Sequence, residues 1–223
     1  MRIVIAGGHG KIALLLEERL TRAGHASVGL IRNPDHAADL EEAGAVPVVL
    51  DLESTHAAEL APHLRGADGV VFAAGAGPGS GEARKETVDR AASVLLADAA
   101  EMAGVRRFVQ ISSMGAGTEP PEGTDPVFAA YLRAKGAAEA DLRRRRHLEW
   151  TILRPGRLTD EPATGRVELA ERVARGAVPR DDVAAVVLEL LRRPETAGRT
   201  LELVGGPTPI VEAVRSVTAP TRA

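Results

Sequence analysis

Two rhythms of apolar and polar positions run along this chain. Arg2–Ala6, Val28–Ile31, Val46–Leu50, Val70–Ala74, Phe108–Ile111 and Trp150–Leu153 are short apolar runs with many β-branched residues. Uninterrupted runs of that length predict strands covered on both faces. Between them lie stretches with helical spacing of apolar residues: Ile12–Ala23, His36–Ala43, Thr55–Leu64, Glu82–Ala103 and Phe128–Arg145. Strand followed by helix, repeated, predicts an α/β fold: a doubly wound, Rossmann-type parallel sheet with helices on both faces. The last third is less regular. It predicts a helix at Asp181–Arg193, a strand at Thr200–Val204 and a helix near Ile210–Val217. The expectation is one domain over residues 1–223. Its core is residues 1–155, and 156–223 form a small substrate-side region.

The first strand runs into Gly7-Gly8-His9-Gly10, and Lys11 and Ile12 open the first helix. This order suits a dinucleotide pyrophosphate. Glycines admit the phosphates close to the backbone, and a helix N-terminus offers amides and partial positive charge. Gly75–Gly81 and Gly115–Pro126 follow predicted strand ends, the edge where open parallel sheets bind ligands, and both are expected to face a ligand.

Charge and composition narrow the choices. A net charge of −3 and a pI near 6.1 give no electrostatic footprint for nucleic acid. The absence of cysteine excludes disulfides, thiolate metal sites and a cysteine nucleophile. The six histidines show no paired metal-ligand spacing, so no metal is expected. No apolar run reaches membrane-spanning length, and the chain opens directly on a strand. The expectation is a cytoplasmic protein without a signal peptide, a monomer or homodimer acting on a small molecule. Arg143–Arg146 falls at a predicted helix end, where cations complement the helix dipole.

The second strand ends in Arg32, where NAD-selective sites usually place an acid. A guanidinium there suits the 2′-phosphate of NADP, so NADP is favoured over NAD. Asp51 and Leu52 close the third strand, where Asp51 is placed either to accept from the adenine amino group or to cap the next helix.

Tyr131 and Lys135 are four residues apart on a predicted helix, hence on one face. Only three lysines occur, and Tyr131 is the only tyrosine; chance would give this spacing about one time in seventy. A free phenol, with a pKa of about 10, moves protons poorly at neutral pH, and a nearby ammonium favours its ionised form. Ser112 and Ser113, ending the preceding predicted strand, can hydrogen-bond the substrate oxygen.

With these residues the chain resembles the short-chain dehydrogenase/reductase superfamily, in particular atypical NAD(P)-binding members related to the extended epimerase/dehydratase type. The resemblance rests on Gly7-Gly8-His9-Gly10, Ser112-Ser113, Tyr131 with Lys135, Arg154-Pro155-Gly156 and Arg180–Ala184. It implies that Tyr131 is the acid/base, that Lys135 holds the nicotinamide ribose and tunes Tyr131, and that Ser113 (or Ser112) orients the substrate. Ala73, Ala74 and Gly75 would line the cofactor, and the backbone at Pro155 and Gly156 would lie near the carboxamide. Ala13 stands at the third small position of the phosphate turn. The helical asparagine of many relatives has no evident counterpart, with Thr87 and Asp89 as candidates. The implied activity is NADP(H)-dependent hydride transfer on a small carbonyl or alcohol. The alternatives are an NADP-sensing regulator and a sugar-nucleotide epimerase or dehydratase.

Overall fold

Residues 1–77 and 79–218 are described by the computed structural model; Pro78, inside the first glycine-rich loop, and the last five residues lie outside them. The chain runs β1 (Arg2–Ala6), α1 (Lys11–Arg22), β2 (Ala26–Ile31), α2 (Ala37–Glu42), β3 (Val46–Val49), α3 (Ala57–Leu64) and β4 (Gly69–Phe72). A helical turn, α4 (Glu82–Arg84), continues through a π-helical segment (Lys85–Ala91) into α5 (Ala92–Ala103). Next come β5 (Arg107–Ile111), α6 (Pro126–Arg144), β6 (Glu149–Pro155), β7 (Arg157–Thr159), β8 (Arg166–Ala170) and β9 (Ala177–Pro179). The last elements are α7 (Arg180–Leu191), β10 (Arg199–Gly205), β11 (Thr208–Pro209) and α8 (Ile210–Ser216).

Nine of the described strands form one sheet in the order β11-β8-β10-β6-β5-β4-β1-β2-β3. From β3 to β10 all pairings are parallel; β8 and β11 add an antiparallel edge. This is the doubly wound, Rossmann-type sheet expected. The chain order reverses beside β1, so the carboxyl ends of β1 and β4 open a crevice.

Alternate residues of β1 go to opposite sides. Ile3 and Ile5 pack with Leu16 and Leu20 of α1 and with the apolar face of α7, whereas Val4 and Ala6 join Leu60 and Leu64 of α3 and Leu96 of α5. Both sides are buried, which is why these strands read as uninterrupted apolar runs. The basic run is partly structural: Arg145 is 11% exposed and bridges Asp98, Glu101 and Asp141, tying α6 to α5.

Four short strands were not anticipated. β7, β9 and β11 have two or three residues, too few for a period. β8 does carry one: Val167 and Leu169 face the core while Arg166 and Glu168 face solvent. The predicted helix at Glu82–Ala103 is continuous in span but π-helical in its second part, which periodicity could not show.

Glu17 of α1 is fully buried against Gly29 of β2. A Cβ at residue 29 would lie 2.6 Å from its Oε1, so glycine there makes the space. Neither carboxyl oxygen has a hydrogen-bond partner among the described residues. Burial pushes this acid up from its ordinary 4.5 to about 8. The native state therefore holds a proton that the unfolded chain releases above pH 4.5. Stability is complete below that pH and falls by about 1.4 kcal/mol per unit until Glu17 ionises in both states. Urea denaturation of Glu17→Gln should show it gaining on the parent from pH 5 to pH 8. Parallel stability curves would contradict this assignment.

Candidate functional site

The β1–α1 turn is built by backbone approaching backbone. Gly7 has φ +83°, and a Cβ there would lie 2.7 Å from the Cα of Ala74, beyond β4. A Cβ on Gly8 would lie 2.7 Å from the Cα of Gly29 on β2. The Gly8 amide donates to Leu30 O (3.0 Å) and the Gly10 amide to Gly7 O (2.9 Å). Gly10 is the N-cap of α1 and brings no capping side chain. First-turn amides, among them those of Lys11 and Ile12, thus lack a side-chain acceptor, and the helix dipole points at the crevice. Ala13 is fully buried, so its methyl fits the helix–strand contact that the third small position requires.

Beside this turn lies a cleft of about 320 Å³. Its walls include Gly7, His9 and Gly10 on one side, Asp51 and Leu52 after β3, and Ala73, Ala74 and Gly75 after β4. His9 stacks on His36 with ring centroids 3.5 Å apart, and its Nε2 lies 2.6 Å from Asp39. Asp51 accepts the Glu53 amide at 3.0 Å, shaping the loop that carries it. Lys11 reaches Asp160, beyond β7, at 2.7 Å. Arg180 meets the same carboxylate, and the two cations hold it below the usual carboxylate range, Lys11 foremost.

Arg32 lines the cleft, as does a second arginine not anticipated from sequence, Arg84 of α4. Both bond Glu53: Arg32 at 3.0 Å and Arg84 at 2.6 Å, while Thr87 donates to its other oxygen at 2.6 Å. The Arg84 and Thr87 hydrogen bonds hold Glu53 below the usual carboxylate range. These partners are 21 to 34 residues from Glu53 in sequence, so no local spacing announces them.

The tyrosine–lysine pair adjoins the cleft behind Ala74. Asp125 caps α6 by accepting the Phe128 amide, with Pro126 in the first turn, and the helix carries both residues on one face. Lys135 is 3% exposed. Its Nζ donates to Ala74 O (3.2 Å) and Ile111 O (3.4 Å) and lies 5.8 Å from the centre of the Tyr131 ring. The Ala74 bond links the pair to the cleft wall. Tyr131 is half-buried and stacks against the exposed ring of Phe128, with centroids 5.8 Å apart.

The two serines part company. Ser112 is buried and donates to Glu139 at 2.6 Å, joining a network in which Arg154 also bonds both Glu139 oxygens. Ser113, partly exposed, makes only a long 3.4 Å contact to Met114 O. Consecutive residues leaving a strand face opposite ways, so Ser113 is the one left for a ligand. At Pro155-Gly156 the backbone is already engaged: Pro155 O accepts from Met114, and the Gly156 amide donates to Leu203 O. The two candidates for the helical counterpart residue differ in their surroundings: Asp89 faces Lys135 and Thr87 faces Glu53. Asp89 is fully buried, with Oδ1 3.2 Å from Lys135 Nζ.

The cradle that any Cβ at residue 7 or 8 would fill, the uncapped α1 and the adjoining cleft together fit a dinucleotide. Gly7→Ala should weaken NADPH binding at least tenfold in a fluorescence titration and lower the melting temperature, since alanine meets both the positive φ and Ala74. Parental affinity would contradict the cradle.

Comparison with known proteins agrees. The profile of the NAD(P)H-binding family matches residues 7–194. YhfK of Bacillus subtilis, described as an uncharacterized sugar epimerase, is 33% identical over 97% of this chain and 100% of its own. A solved structure of a Bacillus halodurans protein, described as a putative NAD-dependent epimerase/dehydratase, is 34% identical over 97% of this chain and all of that one, with a TM-score of 0.89. The oxidoreductase ylbE of Lactococcus lactis is 27% identical, covering 100% of this chain and 99% of its own, with a TM-score of 0.86. The chain belongs to the NAD(P)H-binding family.

Proposed function

We propose that this protein is an NADP(H)-dependent oxidoreductase of the short-chain type that reduces a small carbonyl to an alcohol. The observation that carries the reading is the hydrogen bond from Lys135 to Ala74, which ties the Tyr131–Lys135 pair to the wall of the cleft beside the glycine turn. The ylbE relative, itself described as an oxidoreductase, supports it.

Bound NADPH would supply the hydride that turns the carbonyl carbon into an alcohol carbon. Tyr131 gives a proton to the carbonyl oxygen and regains one from water, so the phenol ends as it began. Ser113 hydrogen-bonds the same oxygen and fixes its position. Lys135 places a charge beside the phenol and offers a donor to the nicotinamide ribose. Phe128 shields one side of the Tyr131 ring. Arg32 and Arg84 converge on one carboxylate in the cleft wall, and this doubled positive charge favours a 2′-phosphate there.

The Bacillus relatives' names support a second reading, an epimerase or dehydratase. That chemistry returns the hydride it takes, so it consumes no NADPH overall.

A carbonyl panel followed at the nicotinamide absorbance tests the reading. Net NADPH oxidation is expected, with Tyr131→Phe slowing turnover about 10²- to 10⁴-fold and leaving NADPH affinity within about threefold. A Tyr131→Phe variant as active as the parent would overturn the assigned acid. Arg32→Ala should cost NADPH about tenfold or more in affinity and NADH much less. Equal losses for both would overturn the 2′-phosphate assignment.

A further inference from the structure

The chain has three lysines, and the fold treats them differently. Lys11 is exposed and meets the carboxylate of Asp160, while Lys135 is buried and meets that of Asp89. Lys85, the first residue of the π-helical segment, is 7% exposed, yet no carboxylate lies in ion-pair contact with it among the described residues. The acids on its own stretch of helix are placed elsewhere: Asp89 against Lys135, Glu86 against Arg90, and Glu82 toward solvent. The Lys85 ammonium donates to Gly77 O (3.0 Å) and to Ser80 Oγ (2.9 Å), both neutral. One of its three N–H groups is thus left without an acceptor among the described residues. Both acceptors belong to the glycine-rich loop after β4, where Gly77 is exposed and Ser80 half-buried. The same ammonium lies 5.8 Å from the centre of the Tyr131 ring.

A cation withdrawn from water without a counter-charge is costly, and here that cost falls beside the tyrosine assigned to proton transfer. We propose that Lys85 recognises the substrate: it takes the carboxylate of an anionic carbonyl compound, a 2-oxo acid or a close relative, while Tyr131 meets the carbonyl oxygen. The proposal rests on the reading of Tyr131 as the proton donor and names the substrate class for it. Lys85 Nζ is as near the Tyr131 ring as Lys135 Nζ is, so an acid group held there sits within a few bonds of a carbonyl at Tyr131. One ammonium with one hydroxyl beside it matches a singly charged carboxylate; a doubly charged phosphate would leave one charge unmatched at Lys85. The carbonyl carbon gains the hydride of NADPH, its oxygen gains the proton of Tyr131, and the carboxylate is unchanged, so the product is the hydroxy acid. A lysine that only pinned the loop would serve acids and neutral carbonyls alike.

That difference is measurable on the full-length protein. Under saturating NADPH, pyruvate and benzoylformate are each compared with their methyl esters, and the parent should reduce the acids with the higher kcat/KM. Lys85→Gln keeps a donor for Gly77 O but loses the charge. It should cost the acids about tenfold or more beyond what it costs the esters, with the difference in KM, and Lys85→Arg should recover part of it. A second readout needs no turnover: calorimetry of benzoylformate added to protein saturated with NADP⁺, where no hydride is available. Binding should be tighter than that of the methyl ester and about tenfold or more weaker in Lys85→Gln. An ester preferred by the parent, or losses in Lys85→Gln that are equal for acid and ester, would overturn the proposal. If the acid binds as expected while no carbonyl is reduced, the hydride-transfer reading fails and the Lys85 assignment stands. If carbonyls are reduced and the acids gain nothing from Lys85, the reverse holds.

Discussion

The packing of backbone against backbone where β1 turns into α1 is the constraint on which the rest depends. At Gly7 and Gly8 the chain lies so near Ala74 and Gly29 that neither position has room for a side chain. That closeness brings the carboxyl ends of β1, β2 and β4 together and leaves the first turn of α1 at a crevice without a capping side chain. Arg32 at the end of β2 and Ala73 to Gly75 after β4 then fall on the same crevice because their strands pair with β1. Lys135 reaches it through Ala74, the residue that Gly7 packs against. Loosening this one contact would separate the glycine turn from Lys135.

The cleft and the lysine beside it solve one electrostatic problem in different ways. At Arg32, two exposed or half-exposed guanidiniums share the carboxylate of Glu53, near solvent, where an ion pair is weak and an anionic ligand can compete for it. Behind Ala74, Lys135 and Asp89 are buried, where a charge without a partner is costly and a pair is held in place. The outer arrangement is exchangeable and the inner one fixed.

What could be read from the sequence follows from what is local. β1, β2, β4 and β5 are buried on both faces, so their apolar runs stand out, and the glycines between β1 and α1 are forced by contacts that any substitution would break. Tyr131 and Lys135 lie four apart on one helix, so their meeting is visible as spacing. Glu53 is different. Its partners come from two distant stretches of chain, Arg32 after β2 and Arg84 with Thr87 on the helix after β4, and only the fold brings them together. Asp89 is 46 residues from Lys135 and was a candidate only by its helix; burial and the 3.2 Å approach distinguish it from Thr87. The choice between Ser112 and Ser113 depended on which way each leaves β5, and Glu139, which takes Ser112, lies 27 residues away. The alternation in β8 was legible but short, and its antiparallel pairing with β10 has no sequence mark.

The account stands on a dinucleotide lying between the β1–α1 turn and Lys135. A crystal structure of the protein grown with NADPH tests this most directly. The account predicts the pyrophosphate against the backbone of residues 8–12, the 2′-phosphate within hydrogen-bond reach of Arg32 or Arg84, and the nicotinamide ribose on Lys135. A dinucleotide bound elsewhere on the molecule, or running through the cleft in the opposite sense, would contradict it.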